Sequence, residues 1–309
     1  MAILFYSNVD SGPRWRTQLL RQMPERECRV WPDIGDPADI DYAIVWRAPP
    51  GLLVSLPRLR MILSLGAGID HVLRDSTRPP GVPIVRLVDP YLTGAMSEYV
   101  ALQVFRLHRQ DVDYQEQQRR EQWIEHPQKN AGERTVGILG CGVIGREAGR
   151  RLKTFGFDVA GWTRTARQLP EFPTHAGAAG LDELLGRSEI LVCLLPLTPE
   201  TEGILNAGTF ARLPRGAGIV NAGRGQHLVE DDLIPALDSG QLSAAALDVF
   251  REEPLPPGHP FWHHPRIVVT PHIAGITNPA TAAIVLCDAI RRFEAGEPVP
   301  NLVDPSRGY

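Results

Sequence analysis

One stretch constrains the fold of this chain more than any other: the mostly apolar run 135–139, which leads directly into Gly140, Gly142 and Gly145. The three glycines have the Gly-x-Gly-x-x-Gly spacing. In a strand–turn–helix unit, the first glycine allows a sharp turn, the second lets a pyrophosphate approach the backbone, and the third lets the helix pack closely on the strand. The stretch therefore predicts a dinucleotide-binding turn; a glycine-rich turn that binds nothing is the alternative.

A helix is predicted after this turn, because apolar side chains recur there at helical spacing. The residues that share its apolar face are Ile144, Ala148, Leu152 and Phe155. Gly156 then ends the helix, since a left-handed cap is needed there. The free N–H groups and positive dipole at the start of such a helix would bind the phosphates of a dinucleotide.

Strands and helices alternate along the whole chain, which predicts an α/β protein with doubly wound parallel sheets. A length of 309 residues fits two domains of ordinary size. Predicted strands lie at 3–7, 28–31, 42–46, 61–65 and 84–87 before the glycine turn, and at 157–162, 190–195, 218–221, 244–249 and 267–270 after it.

A polar stretch, 111–129, follows a predicted helix at 96–110 and contains Tyr114 and Trp123. A solvated linker is the ordinary explanation. The alternative is an arm that reaches a second subunit, because exposed aromatic residues in polar surroundings often mark contacts.

The loop after the second strand of the dinucleotide-binding unit indicates which cofactor is used. An acidic residue there would bind the ribose diol of NAD. Residues 161–167 contain no carboxylate, but they contain Arg164 and Arg167. Guanidinium groups bind a 2′-phosphate with charge-assisted hydrogen bonds, so the loop favours NADP(H) over NAD(H). Surface arginines on an ordinary loop are the alternative.

Two glycines, Gly66 and Gly68, form a turn at the end of an earlier predicted strand. Backbone N–H groups around such a turn can form a nest that binds a carboxylate. A plain tight turn is an equal alternative on this stretch alone.

Arg224, Glu253 and His272 each follow a different predicted strand of the second unit. The carboxyl ends of parallel strands lie on one edge of a sheet, and the glycine turn lies on the same edge. An arginine, a carboxylate and an imidazole are therefore expected to meet beside the nicotinamide. Each of them singly would more often be a cap, a surface charge or a packed histidine.

The composition excludes several other classes of protein. The net charge is only −4 and no basic stripe is present, so nucleic acid is not an expected partner. The four cysteines are scattered, which argues against a structural metal site and fits a reducing compartment. No apolar run is long enough to span a membrane, and no signal peptide is recognisable at the N-terminus. A cytoplasmic location is therefore expected.

At these motifs the chain resembles the D-2-hydroxyacid dehydrogenases, a family that carries Gly-x-Gly-x-x-Gly, Asn-x-x-Arg-Gly, Asp-Val-Phe-x-x-Glu-Pro and Pro-His in this order. The resemblance covers nearly the whole chain. Within the family it looks most like the glyoxylate/hydroxypyruvate reductase A group, by the pair Val45-Trp46, the loop 162–165 and the ending 303–309. That group often has a histidine where Arg47 stands and more basic residues after Arg164.

The resemblance implies a Rossmann-type domain at 98–280 that binds the dinucleotide, and a flavodoxin-like domain at 1–97 and 281–309 that binds the substrate. It also implies a homodimer that reduces glyoxylate and hydroxypyruvate to glycolate and D-glycerate, with NADPH preferred over NADH. His272 would protonate the developing alkoxide, Glu253 would hydrogen-bond His272 and keep it charged, and Arg224 would clamp the substrate. Closure of the domains would exclude water.

The predicted site residues fall into three groups. The catalytic residues are Arg224, Glu253 and His272. The substrate-binding residues are Trp46, Ala67, Gly68, Arg224 and His272. The cofactor-binding residues are Gly140, Gly142, Val143, Ile144, Gly145, Trp162, Thr163, Arg164, Thr165, Arg167, Leu195, Pro196, Thr201, Ala222, Gly223, Asp248 and Ala274.

Two other functions stay open on the sequence. Another 2-oxoacid, such as phenylpyruvate or a sugar-acid phosphate, is the alternative within the enzymes. A dinucleotide-sensing binding protein is the alternative outside them, because the C-terminal-binding corepressors resemble the same family and function depends on the site rather than the fold.

Overall fold

The computed structural model describes residues 1–304, so the last residues of the predicted substrate-binding domain and of the ending 303–309 lie outside the described residues. The strands are β1 Ala2–Ser7, β2 Glu27–Val30, β3 Ile40–Trp46, β4 Met61–Ser64, β5 Ile84–Val85, β6 Thr135–Leu139, β7 Asp158–Thr163, β8 Thr174–Ala176, β9 Ile190–Cys193, β10 Ala217–Asn221, β11 Leu242–Leu247 and β12 Ile267–Val269. The helices are α1 Gly12–Gln22, α2 Asp70–Leu73, α3 Pro90–His108, α4 Asp111–Arg119, α5 Val143–Thr154, α6 Gly177–Arg187, α7 Ala207–Arg212, α8 Glu230–Asp238 and α9 Pro279–Ala295.

The chain forms two compact units, residues 1–92 with the described chain from Thr277 onward, and residues 93–276. The first unit contains a five-stranded parallel sheet of order β2-β1-β3-β4-β5, which is the flavodoxin-like order. Helix α9 packs on α1 in this unit. The side chains of Leu4, Val45 and Ile62 are fully buried, since both faces of a parallel sheet are covered.

The second unit contains a seven-stranded parallel sheet of order β12-β11-β10-β9-β6-β7-β8. Numbered from β6, the first six strands have the Rossmann order 3-2-1-4-5-6, with β12 added as a seventh at the edge. The predicted fold class, two doubly wound parallel-sheet domains, is confirmed. The carboxyl ends of β10, β11 and β12 are adjacent on one edge of this sheet.

The structure adds two elements that the sequence did not predict and corrects one local prediction. Strand β8 was not predicted, because it has only three residues and begins with polar ones. Helix α4 occupies the first nine residues of the stretch expected to be a linker or an arm. Phe155 is 54% exposed, while Phe157, beyond the glycine that ends helix α5, is buried. The helix ends at Thr154, so Phe155 no longer follows the helical face.

No helix within residues 1–304 combines the length and the apolar character that crossing a membrane requires.

Candidate active site

The glycine turn between β6 and α5 requires glycine at two positions and leaves the third open. Gly140 has a left-handed φ of +98°, and a Cβ there would lie 2.7 Å from the backbone of Leu194. A Cβ at Gly145 would lie 2.0 Å from the carbonyl oxygen of Gly140. A Cβ at Gly142 would meet nothing within 4 Å. The turn therefore packs tightly against the sheet on one side and keeps an open surface at Gly142.

Helix α5 begins at Val143, directly after this open surface, and Gly142 is its N-cap. Its first turn contains no acidic residue. Val143 is 46% exposed and Ile144 is half-buried. The positive end of a twelve-residue helix beside a bare backbone fits the pyrophosphate of a dinucleotide.

The loop after β7 carries positive charge. Arg164, Thr165 and Arg167 are exposed. The Thr163 hydroxyl donates to the Thr165 carbonyl oxygen at 2.9 Å, and the Trp162 indole donates to a backbone carbonyl at 2.8 Å. The loop is thus held at its start, and its two guanidinium groups are of the chemistry that suits a 2′-phosphate.

The positive charge of Arg164 affects a carboxyl group in the loop after β9. The pKa of the Glu200 carboxyl is lowered, chiefly by a hydrogen bond from Thr198 and in smaller part by the positive charge of Arg164. The Thr201 hydroxyl donates to the Pro196 carbonyl oxygen at 2.7 Å, which closes the loop that also carries Leu195. Strands β7 and β9 both pair with β6, so these two loops flank the glycine turn.

Glu253 and His272 are in direct contact. Nδ1 of His272 lies 2.9 Å from Oε2 of Glu253, and the other carboxylate oxygen accepts the backbone N–H of Phe250 at 3.1 Å. The carboxylate is therefore fixed at both oxygens and orients the ring. Within residues 1–304 the structure gives no hydrogen-bond partner to Nε2 of His272. A histidine so arranged presents one ring nitrogen for proton transfer.

Asp248, which follows β11, holds the backbone that carries His272. Its buried carboxylate accepts the N–H of Ile273 at 2.9 Å and that of Ala274 at 2.8 Å. The Thr270 hydroxyl donates to it at 2.6 Å. The backbone carbonyl of Asp248 accepts the N–H of His272 at 2.8 Å. The assignment of Asp248 as a cofactor-binding residue stays a prediction.

Tyr99 extends this network. Its hydroxyl lies 2.7 Å from that of Thr270, and burial raises its pKa well above the ordinary range, so it stays protonated. The sequence indicated neither Tyr99 nor Thr270 as part of the site, because their hydrogen-bond partners are far away along the chain.

Arg224 lies in the loop after β10, next to the loop that leads to Glu253. Its N–H donates to Nδ1 of His227 at 3.0 Å, and its guanidinium donates to the Gly223 carbonyl oxygen at 2.8 Å. A Cβ at Gly225 would lie 1.9 Å from the backbone of Phe250, so the two loops are in contact. Ala222 and Gly223 are buried at the start of the same loop.

His227 is a further residue that the sequence did not indicate. It is fully buried, and its Nε2 lies 3.3 Å from the Pro196 carbonyl oxygen while Nδ1 accepts from Arg224. It thereby links the Arg224 loop to the loop after β9. Its position two residues after the end of the Asn-x-x-Arg-Gly motif is the only signal in the sequence that could have pointed to it.

The remaining predicted substrate residues lie together in the first unit. Trp46 ends β3, and its ring covers Gly66, where a Cβ would lie 2.6 Å from the indole. The backbone N–H groups of Ala67 and Gly68 have no partner among residues 1–304. This fits a nest for a carboxylate.

The described residues contain no group of three or more histidine, cysteine, aspartate or glutamate side chains that could hold a metal ion.

Comparisons with known proteins find similarity over the whole chain. Residues 101–274 match the family described as D-isomer specific 2-hydroxyacid dehydrogenase, NAD binding domain. The chain is 42% identical over 317 residues to glyoxylate/hydroxypyruvate reductase A of Serratia proteamaculans (strain 568), and each protein is covered completely. The corresponding protein of Yersinia enterocolitica is 41% identical over 314 residues, again with complete coverage of both.

Two solved structures are similar over the same length. One is a D-isomer specific 2-hydroxyacid dehydrogenase from Xanthobacter autotrophicus Py2 in complex with NADPH and MES, with a TM-score of 0.95 and 42% identity. The other is an NADPH-dependent glyoxylate/hydroxypyruvate reductase from Sinorhizobium meliloti in complex with NADP and sulfate, with a TM-score of 0.93 and 40% identity. Each comparison covers 100% of this chain and 99% of the other. With the glycine turn, the His272–Glu253 pair and the sheet order, these similarities establish that the chain belongs to the D-isomer-specific 2-hydroxyacid dehydrogenase family.

Proposed function

We propose that this protein is an NADPH-dependent reductase of small 2-oxoacids, which converts glyoxylate to glycolate and hydroxypyruvate to D-glycerate. The observation that carries the proposal is the 2.9 Å contact between His272 and Glu253 at the edge of a dinucleotide-binding sheet. The relatives named glyoxylate/hydroxypyruvate reductase A, which match over their full length, support the choice of substrates.

His272 is the proposed general acid. The cofactor, when bound, supplies a hydride to the keto carbon of the substrate. His272 donates the proton on Nε2 to the oxygen that becomes the hydroxyl, while Glu253 holds the Nδ1 proton and stabilises the charged ring. Asp248 keeps the backbone at His272 in place.

The substrate carboxylate is assigned to Arg224 and to the N–H groups of Ala67 and Gly68. Arg224 would stabilise negative charge as it develops, and Trp46 would form a wall of a small pocket. In this proposal residues 98–280 bind the dinucleotide and residues 1–97 and 281–309 bind the substrate.

NADPH is the proposed cofactor, in preference to NADH. Arg164 and Arg167 provide the positive charge that a 2′-phosphate requires, and no carboxylate stands in residues 161–167 to repel it. The similar structures from Xanthobacter autotrophicus and Sinorhizobium meliloti hold NADPH and NADP, which supports the same choice.

We also propose a homodimer in the cytoplasm. Trp123, in the polar segment after helix α4, is 95% exposed, which favours a contact surface for a second copy. The four cysteines are free and buried, which fits a reducing compartment.

The loss of NADPH absorbance on addition of a 2-oxoacid tests the function. Glyoxylate and hydroxypyruvate should be turned over steadily, and phenylpyruvate slowly. The His272→Ala variant should lose on the order of a hundredfold or more in kcat, because it lacks the general acid. Tight NADPH binding by the wild type without turnover of any 2-oxoacid would contradict the enzyme and favour a dinucleotide sensor.

A further inference from the structure

His71 is a half-buried side chain to which the proposed reaction assigns no role. It lies in α2, three residues after Gly68. Its Nδ1 accepts the backbone N–H of Arg47 at 3.1 Å, and its Nε2 lies 3.0 Å from the hydroxyl oxygen of Ser64. Its ring centroid is 4.5 Å from that of Trp46, at an interplanar angle of 56°. One imidazole thus contacts Trp46 and Arg47 directly and reaches the Gly66–Gly68 turn through Ser64.

The contacts of His71 determine which ring nitrogen carries the proton. Because Nδ1 accepts from Arg47, it holds no proton, and the neutral ring carries its proton on Nε2. Nε2 therefore donates to the Ser64 hydroxyl oxygen. A proton on Nδ1 would face the N–H of Arg47, so this arrangement requires the neutral ring.

Ser64 transmits the contact to the glycine turn. It is fully buried at the end of β4, it accepts the N–H of Gly66 at 3.2 Å, and its hydroxyl lies 3.1 Å from the carbonyl oxygens of both Gly66 and Gly68. Since its own oxygen receives the proton of His71, its hydroxyl hydrogen is directed to these carbonyls.

The orientation of the Gly66 carbonyl fixes the N–H of Ala67. The Gly66 oxygen also accepts the N–H of Leu87 at 3.0 Å, so this carbonyl is held by two donors. In a planar trans peptide the N–H points opposite to the C=O. The N–H of Ala67 is therefore turned away from Ser64, and it has no partner among residues 1–304.

Arg47, which donates its N–H to His71, has a strained backbone. Arg47 has a φ of +51°, a left-handed conformation that non-glycine residues rarely adopt. The bond from its N–H to His71 favours this conformation, and with it the position of Trp46 directly before it.

We propose that His71, as the neutral Nε2–H tautomer, is a positioning residue of the substrate site. It joins the Trp46–Arg47 turn to the Gly66–Gly68 turn, so that the indole wall and the Ala67 N–H keep one spacing for a small 2-oxoacid. The proposal rests on the proposed function and adds a residue to it.

Three substitutions of His71 test it, each compared with the exposed His263→Phe as a matched control. His71→Phe keeps an aromatic ring beside Trp46 but removes both hydrogen bonds. His71→Asn keeps an acceptor near the position of Nδ1, and His71→Gln keeps a donor near the position of Nε2. Ser64→Ala removes the next link while leaving the ring in place.

We expect His71→Phe to raise the KM for glyoxylate about tenfold or more, because two oriented hydrogen bonds are lost, with kcat within about threefold of the wild type. The His71→Asn and His71→Gln variants should each show a smaller rise in the KM for glyoxylate. The rise in Ser64→Ala should be similar to that in one of these two variants. The Kd for NADPH, measured by fluorescence, should be unchanged in all. The affinity of the NADPH-bound protein for oxalate, measured by calorimetry, should fall in parallel with the rise in KM.

A wild-type KM and oxalate affinity in His71→Asn, His71→Gln and Ser64→Ala alike would overturn the positioning role, even if His71→Phe failed to fold. Equal loss of NADPH and oxalate binding in these variants would overturn it too, because that result indicates general destabilisation. A wild-type protein that neither reduces 2-oxoacids nor binds oxalate would instead overturn the proposed function itself, and the substrate role of His71 with it.

Discussion

At the scale of single residues, each of the two units holds a non-glycine residue with left-handed backbone in a loop that carries a proposed site residue. His272 has a φ of +54° and Arg47 a φ of +51°. Such a conformation costs about 1 kcal/mol or more, so neighbouring contacts must stabilise it. Asp248 does so for His272 with its carboxylate and its carbonyl, and His71 does so for Arg47 with one ring nitrogen.

Arg164 carries the residue-scale prediction about the cofactor. Arg164→Ala should raise the KM for NADPH about tenfold or more, because a charge-assisted hydrogen bond to the 2′-phosphate is lost. The KM for NADH should stay within about twofold, since NADH has no phosphate there. Steady-state kinetics with both cofactors measure this, with the exposed Arg119→Ala as the control. Equal losses with NADPH and NADH would contradict the phosphate contact.

At the scale of elements, the sheet order of the second unit brings the functional loops together. Strands β10, β11 and β12 are neighbours, and the loops after them carry Arg224, Glu253 and His272. Parallel strands present all their carboxyl ends at one edge, so residues distant in the sequence meet there without long excursions of the chain. Close backbone packing of Gly225 against Phe250 sets how near the loop after β10 approaches the loop after β11.

Helix α4 and the segment after it carry the element-scale prediction. The Tyr114 hydroxyl accepts the N–H of His126 at 3.1 Å and the amide of Gln128 at 3.2 Å, so the segment is fastened back to the helix. Trp123, which lies between Tyr114 and His126 along the chain, is 95% exposed. We expect the wild type to sediment as a dimer and Trp123→Ala to raise the dimer dissociation constant about thirtyfold, as the loss of an aromatic anchor does.

Sedimentation velocity over a concentration series measures this effect. Trp262→Ala serves as the matched control, since Trp262 is also exposed, at 47%. A monomeric wild type would contradict the proposed dimer. A variant at position 123 that dimerises as well as the wild type would show that the interface lies elsewhere.

At the scale of the whole molecule, four buried thiols make the free energy of unfolding depend on pH in the alkaline range. Burial raises the pKa of Cys28 to about 11 and that of Cys141, Cys193 and Cys287 to about 12. In the unfolded chain a thiol ionises near its ordinary pKa of about 8.5. Because the folded state binds these protons more tightly, their contribution is fully present below the unfolded pKa and is lost as pH rises towards the folded values.

The free energy of unfolding should therefore fall between pH 8 and pH 10. Each such thiol contributes a loss of up to about 1.4 kcal/mol per pH unit above the unfolded pKa. Cys193→Ala should lose correspondingly less over this range, since one thiol is absent. Urea unfolding of both proteins at the two pH values measures the difference. Identical pH dependences would show that Cys193 does not titrate on unfolding.

The sequence by itself determined the features that depend on neighbours along the chain. The spacing of Gly140, Gly142 and Gly145 and the apolar runs around them predicted the strand, turn and helix, and the alternation of strands and helices predicted both parallel sheets. Helix α4 and strand β8 were not predicted, because their apolar content is low and gives no periodic signal. Their stability comes from packing and strand pairing instead.

Only the tertiary structure decided which polar groups hold the proposed site together. Nδ1 of His71 meets a backbone N–H 24 residues away, and Nε2 of His227 meets a carbonyl 31 residues away. Asp248 reaches the backbone of Ile273 and Ala274 across a neighbouring strand. A hydrogen bond depends on the distance and direction between two atoms, and for residues so far apart in the chain the packing of the sheets sets both.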